Sequence, residues 1–190
     1  QIWMKDGSYH EVDLRACHQW TRQGSTSCPA LATYHADVSI GGIFPAISAD
    51  GRFIVFSSLA SALPGGHPSV HLDLYLHDRM TGQTERVSVS SAGTSANSDT
   101  VFASLSADGR YVLFSSEASN LSPDDTFSNP GCGALDVFLK DTVTGSVELV
   151  NVDSNEQQLG VYCGSIGMGL SENARYVVFE SDAYRSLPHQ

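Results

Sequence analysis

The chain has 190 residues, 41% of them apolar, enough for one globular core. Its formal net charge is −11, with 10 Lys and Arg against 21 Asp and Glu, and the cations are scattered. That excludes nucleic-acid binding, which needs clustered positive charge, and no run approaches the roughly 20 apolar residues of a membrane helix.

Gln1 opens the sequence and no leader peptide is visible, so the expectation is a processed secreted chain, or an excised fragment, which would look the same. Residues 1–6 read as a strand, Gly7-Ser8 as a turn, and residues 11–15 alternate as a second strand. Residues 20–42 form a polar connection longer than loops usually are.

A repeat begins next. Ser48-Ala49-Asp50-Gly51-Arg52-Phe53-Ile54-Val55-Phe56-Ser57-Ser58 returns 58 residues later as Ser106-Ala107-Asp108-Gly109-Arg110-Tyr111-Val112-Leu113-Phe114-Ser115-Ser116. A worn copy lies 65 residues further on, from Ser171-Glu172-Asn173-Ala174-Arg175-Tyr176 to Ser181. Asp-Gly between apolar runs is a hairpin signal, because Gly takes the φ > 0 position of a tight turn. Asp50, Gly51, Asp108 and Gly109 are therefore read as turn residues. The third copy has Asn173-Ala174 there, and Ala tolerates that conformation poorly, so a changed turn is expected with the strands kept. The apolar runs have strand length and are continuous, so both faces are expected to be covered.

A second element follows the first two hairpins. Asp73-Leu74-Tyr75-Leu76-His77-Asp78 and Asp136-Val137-Phe138-Leu139-Lys140-Asp141 each lead through Thr-Gly into another strand, residues 85–89 and 148–152. The unit is a meander of four short strands, A to D. These paired motifs resemble the bacterial TolB-type β-propeller repeat, well over residues 43–187 and more weakly over the first 15. The resemblance implies an all-β fold of propeller blades, four-stranded antiparallel meanders around a central axis.

The expected organisation is one propeller-type unit over residues 1–190. It has a half-blade (strands C–D) at 1–20, complete blades at 43–90 and 101–153, and a half-blade (strands A–B) at 166–187. Propellers close with about 4 to 8 blades, which three blades' worth of strands does not supply. One copy's tail carries what another's head lacks, so the chain is expected to be a homo-oligomer or polymer joined through residues 1–20 and 166–187.

Given that topology, loops B–C and D–A share one face of the propeller. Cys17, Cys28, Cys132 and Cys163 lack Cys-x-x-Cys spacing, and an even count in an exported chain favours disulfides. Of three pairings, the loop placement favours Cys17–Cys28 with Cys132–Cys163, the latter closing a loop of about 30 residues for ~3 kcal/mol. The loop at 122–136 gathers Asp124, Asp125, Asn129 and Asp136, oxygen ligands of the kind Ca²⁺ takes, although without EF-hand spacing; the alternative is a solvated turn and no cofactor. Asn120-Leu121-Ser122 fits the N-glycosylation acceptor pattern. Trp3, Tyr9, Trp20 and Tyr34, if exposed together, could stack a carbohydrate or anchor a partner; the alternative is half-blade core, the expectation for Trp3.

No Gly-x-Ser-x-Gly elbow or other catalytic constellation is present. The function expected is non-enzymatic: a secreted, periplasmic or cell-surface structural module that self-assembles by edge-strand complementation into a closed ring or a filament. The alternatives are a ligand- or protein-binding, lectin-like piece of a larger secreted propeller and, more weakly supported, a secreted hydrolase.

Overall fold

The computed structural model describes residues 2–5, 9–12, 43–60, 63–64, 71–126, 135–153, 155–159 and 164–181. Among them the regular structure is all strand: β1 (Ile2–Lys5), β2 (Tyr9–Val12), β3 (Ile43–Ile47), β4 (Phe53–Ser58), β5 (Asp73–Asp78), β6 (Gln83–Arg86), β7 (Thr100–Leu105), β8 (Tyr111–Ser116), β9 (Asp136–Asp141), β10 (Val147–Leu149), β11 (Ser165–Leu170) and β12 (Val177–Ser181). Strands β3-β4-β5-β6 and β7-β8-β9-β10 form antiparallel four-stranded sheets in sequence order. β1-β2 and β11-β12 form two-stranded sheets of their own. The all-β class and the four-stranded antiparallel meander are as the sequence predicts.

The turn at the head of each repeat is built by side chains. Ser48 Oγ donates to Asp50 Oδ1 (2.7 Å), Arg52 N–H donates to the same oxygen (2.9 Å), and Phe53 N–H donates to Ser48 Oγ (2.9 Å). The bonds recur at Ser106, Asp108, Arg110 and Tyr111. They recur again at Ser171, Asn173, Arg175 and Tyr176. The third turn is therefore not changed as expected. The Asn173 side-chain oxygen replaces the carboxylate as acceptor, and Ala174 adopts φ +54°, where Gly51 and Gly109 have +71° and +73°. The local hydrogen bonds outweigh the backbone penalty at Ala174.

The fourth strands end earlier than expected, at Arg86 and Leu149 rather than near Val89 and Val152. A side chain intercepts the ladder in each blade. Leu74 N–H donates to Ser88 Oγ (3.1 Å), and Val137 N–H donates to Asn151 Oδ1 (2.9 Å). The main chain then folds into a short connection, with Val89 bridging Ser95 and Val152 bridging Gln158.

The sheets stack. β7 packs on β3, β4 and β5, and β11 packs on β7, β8 and β9. Val55, Leu74 and Leu76 of the first four-stranded sheet bury against Val112, Phe114 and Phe138 of the second. Ile54, Phe56 and Tyr75 form a separate cluster with Leu63. Strand neighbours alternate in direction, so each central strand feeds both faces. Each first strand carries a bulge, opposite β4, β8 and β12 in turn. At the first two bulges Phe44 and Phe102 take positive φ, and their ring centroids lie 4.5 Å apart. Gly109 has a second constraint besides its φ, because a Cβ there would run into the ring of Phe53 from the preceding sheet.

These two positions predict opposite effects. Ala174→Gly relieves the left-handed strain and is expected to raise unfolding stability by about 1 kcal/mol. Gly109→Ala adds both strain and a clash, and is expected to lower it by about 2 kcal/mol or more. Urea unfolding midpoints of the two variants check this; equal shifts, or a loss in Ala174→Gly, would contradict the account.

Candidate functional site

The turns also carry the joints between repeats. Ala49 N–H donates to Ala107 O (3.1 Å), and Ala107 N–H donates to Glu172 O (3.0 Å). These three residues are equivalent in the repeat, so the bonds form a ladder of one rung per junction. The ladder is directional: among the described residues Ala49 O accepts no such bond and Glu172 N–H donates none. Side chains reinforce the joints. Ser57 Oγ donates to Thr100 O (2.9 Å), and Gly167 N–H donates to Ser115 Oγ (2.9 Å). Lys140, buried in the second sheet, donates from Nζ to Val89 O (3.0 Å) in the first repeat and to Gly145 O (2.9 Å) in its own. Burial lowers the pKa of this amine, and the two carbonyls are what it has in place of water.

Each motif arginine closes its sheet by gripping the end of the third strand. Arg52 donates to both carboxylate oxygens of Asp78, from Nε at 3.0 Å and Nη2 at 2.7 Å. Arg110 does the same to Asp141, at 3.1 and 2.7 Å. The guanidinium hydrogen bonds hold both carboxyls well below the usual carboxylate range. Each guanidinium also lies over the next aromatic ring, 4.6 Å from Phe53 and 5.0 Å from Tyr111. Arg175 lies over Tyr176 in the same way, at 5.4 Å, but no carboxylate pairs with it among the described residues.

The structure brings two of the four oxygen-ligand residues together. Gln158 Nε2 donates to Asp125 Oδ1 (3.0 Å) and to Asp136 Oδ1 (3.1 Å), and Asn151 Nδ2 also donates to Asp136 Oδ1 (2.6 Å). Asp124 stays exposed, with Ser122 Oγ 3.5 Å from its carboxylate, and Asn129 lies outside the described residues. Among the described residues no group of three or more His, Cys, Asp or Glu is placed to hold a metal ion. Burial, and then the charge of Asp136, push the Asp125 carboxyl up to about 6; the hydrogen bond from Gln158 opposes the rise. Burial raises Asp136 as well.

The same place in the first four-stranded sheet is arranged differently. Asp73, the counterpart of Asp136, faces Arg86 at 3.4 Å and accepts from Ser88 Oγ at 2.9 Å. Arg86 in turn donates to Ser95. The repeat period of 63 residues puts Leu149 at the position of Arg86, Asn151 at Ser88 and Gln158 at Ser95. Loss of the cation leaves neutral amides to hold the second carboxylate. Gln158 and Asn151 escaped the sequence reading; their signal was this period, visible only when the two connections are aligned.

Asn120 ties one connection to the next. Its Nδ2 donates to Ser95 O (2.8 Å), and its Oδ1 accepts from Asn97 N–H (3.1 Å). The nitrogen that glycosylation would modify is thus a hydrogen-bond donor within the fold. Cys17, Cys28, Cys132 and Cys163 all lie outside the described residues, as do Trp20 and Tyr34. Trp3 and Tyr9 stand in the β1-β2 ladder, opposite Glu11 and Lys5. No helix among the described residues is long and apolar enough to cross a membrane.

Antiparallel four-stranded meanders, stacked through their first strands and tied turn to turn, define a protein of β-propeller blades. No family model and no curated protein matches the sequence. Among solved structures the chain is similar to TolB from Acinetobacter baumannii, with 18% identity, a TM-score of 0.45, and coverage of 75% of this chain and 27% of that one. It is similar to a protein assigned as TolB from Agrobacterium tumefaciens, with 20% identity, a TM-score of 0.40, and coverage of 72% and 41%. It is also similar to the tricorn protease, at 12% identity and a TM-score of 0.43, over 77% of this chain and 11% of that one. The chain thus spans less than half the length of each.

The carboxylate pair makes a pH prediction. The folded Asp125 carboxyl titrates at about 6, above its ordinary 3.8, so the fold favours the protonated form. Its stabilising contribution is complete below the ordinary value and is lost as pH rises through about 6. Asp125 sits beside Thr126, whose N–H donates to Gln158 Oε1 (2.8 Å). Hydrogen-exchange protection of the Thr126 amide, corrected for intrinsic base catalysis, is expected to fall across that window. Asp125→Asn is expected to remove most of the dependence; an unchanged dependence in that variant would contradict the assignment.

Proposed function

We propose that this protein is a non-catalytic assembly module that completes its two-stranded sheets with strands from further copies of itself. The observation that carries the reading is the turn-to-turn ladder. It runs Ala49 to Ala107 to Glu172 with one polarity, leaving, among the described residues, an acceptor at one end and a donor at the other. Such ends are complementary, so copies join head to tail, and the junction is heterologous. The binding energy comes from strand addition and from apolar faces closing on one another.

Two copies bring four complete blades, and their two-stranded sheets pair into two more, within the blade range at which propellers close. If the rotation at the junction does not close, the same contact runs on as a filament. The module works outside the cytoplasm, as an exported periplasmic or surface protein, in keeping with its net charge of −11. A second reading uses the same open ends: further blades of one longer polypeptide would satisfy them equally well, and the chain would then be the ligand- or protein-binding part of a larger propeller.

Native mass measurement separates the two. The chain has a mass of 20.3 kDa. A discrete particle of twice that mass, or regular fibres in negative stain, is the expected result. A monomer that persists at high concentration would overturn self-assembly and favour the second reading.

A further inference from the structure

The sheets end on different kinds of strand. β4 pairs with both β3 and β5, and β8 with both β7 and β9, whereas β12 pairs only with β11 among the described strands. The outer edges of the two complete blades are blunted. β6 reads Gln83-Thr84-Glu85-Arg86, with a charge of each sign, and β10 has 3 residues, Glu148 among them. Short or charged edges do not recruit further strands. β12 reads Val177-Val178-Phe179-Glu180-Ser181, without proline or lysine, and the bulge of its sheet lies on β11. Its free backbone edge is a template for strand addition.

Two charges stand along that edge. Arg52 and Arg110 each grip an aspartate of the third strand, whereas Arg175 is exposed, lies over Tyr176 and pairs with no carboxylate among the described residues. Glu180, also exposed, takes the repeat position of Ser57 and Ser115.

The internal blades fix where the residues of an added strand fall. Phe53 stands opposite Asp78, Phe56 opposite Tyr75 and Ser57 opposite Leu74. Tyr111, Phe114 and Ser115 stand opposite Asp141, Phe138 and Val137 in the same way. The aromatic residues stack across the strands, Phe56 on Tyr75 with centroids 5.9 Å apart and Phe114 on Phe138 at 5.7 Å. On β12 this register puts an aspartate opposite Tyr176, within reach of Arg175. It puts an aromatic ring opposite Phe179, which is half-buried where Phe56 and Phe114 are fully buried. The residue before that ring falls opposite Glu180. Directly opposed residues share a face of the sheet, so the carboxylate there favours a cation.

We infer that the edge of β12 binds an extended segment of a partner protein that carries, in this order, a basic residue, an aromatic residue, two residues of any type and an aspartate. The segment runs antiparallel to β12, with its aspartate held by Arg175 and its basic residue by Glu180. The two charges set direction and register together. A strand of the opposite direction brings its cation to Arg175 and its aspartate to Glu180, and a slip of one residue turns the aromatic ring to the other face. Neither third strand of this chain brings a cation to the place opposite Glu180, since Leu74 and Val137 stand there. The inference therefore goes beyond self-assembly: a partner strand and a further copy compete for one edge.

The probe is a labelled synthetic peptide with the sequence of residues 135–143 carrying Val137→Lys, titrated with the full chain and read by fluorescence anisotropy. Saturable binding is expected. The peptide that keeps Val137 is expected to bind about threefold more weakly. Adding Asp141→Asn to the probe is expected to weaken it by roughly tenfold. Arg175→Asp in the protein is expected to lose the probe and to bind the peptide carrying Val137→Lys and Asp141→Arg, a recovery that shows the variant is folded. No saturable binding by the wild type, an affinity that Arg175→Asp leaves unchanged, or a loss without recovery overturns the inference. Native mass, measured in parallel, reports on self-assembly separately. A monomer that binds the probe keeps this inference and removes self-assembly. An assembly that persists in excess probe and leaves it unbound keeps self-assembly and removes this inference.

Discussion

A blade of this protein is apolar on both faces, and in the two four-stranded sheets both faces are buried. Ile54 and Phe56 point to one side of β4, Val55 to the other, and all three are buried. The same alternation in β8 buries Val112 and Phe114 on one side and Leu113 on the other. The rest of the architecture follows from that constraint. A sheet with two apolar faces must be stacked, stacking requires sheets of matching shape, and a repeat supplies them. Where the stack has no described neighbour, at β12, the apolar position opens to solvent.

Polar groups decide how the stack is registered. Apolar faces alone slide, since the hydrophobic effect has no direction. The rungs from Ala49 to Ala107 and from Ala107 to Glu172 fix the height of one turn against the next. The bidentate pairs Arg52–Asp78 and Arg110–Asp141 fix the third strand against the second. Lys140 spans two repeats with one side chain. The motif residues so prominent in the sequence are the ones that make these contacts, which is why they recur from repeat to repeat.

That division explains what could be read from the sequence. The turn motif was legible because its Ser, Asp, Gly and Arg each answer a local backbone need at fixed spacing. The apolar strands were legible by length and composition. The fourth strands were cut short by Ser88 and Asn151, whose hydrogen bonds reach across 14 residues, and no local pattern announces such a contact. The third turn went the other way: Ala174 looked disqualifying by itself, and the bonds from Ser171 and Asn173 held the geometry regardless. At the candidate carboxylate site the acids were visible but their arrangement was not. Asp125 and Asp136 meet through Gln158, a residue 22 positions beyond Asp136. The substitution that distinguishes this blade from its neighbour is Leu149 for Arg86, an exchange that reads as unremarkable until the two blades are superposed on their common period.

The central claim is that the edge of β12 is a binding edge, and backbone hydrogen exchange across Val177–Ser181 tests it most directly. Measured over a dilution series, the account predicts that alternate amides of this strand are slow to exchange in the concentrated sample and become fast on dilution, while those of β4 and β8 stay protected throughout. Exchange across β12 that is independent of concentration, whether fast or slow, would contradict it.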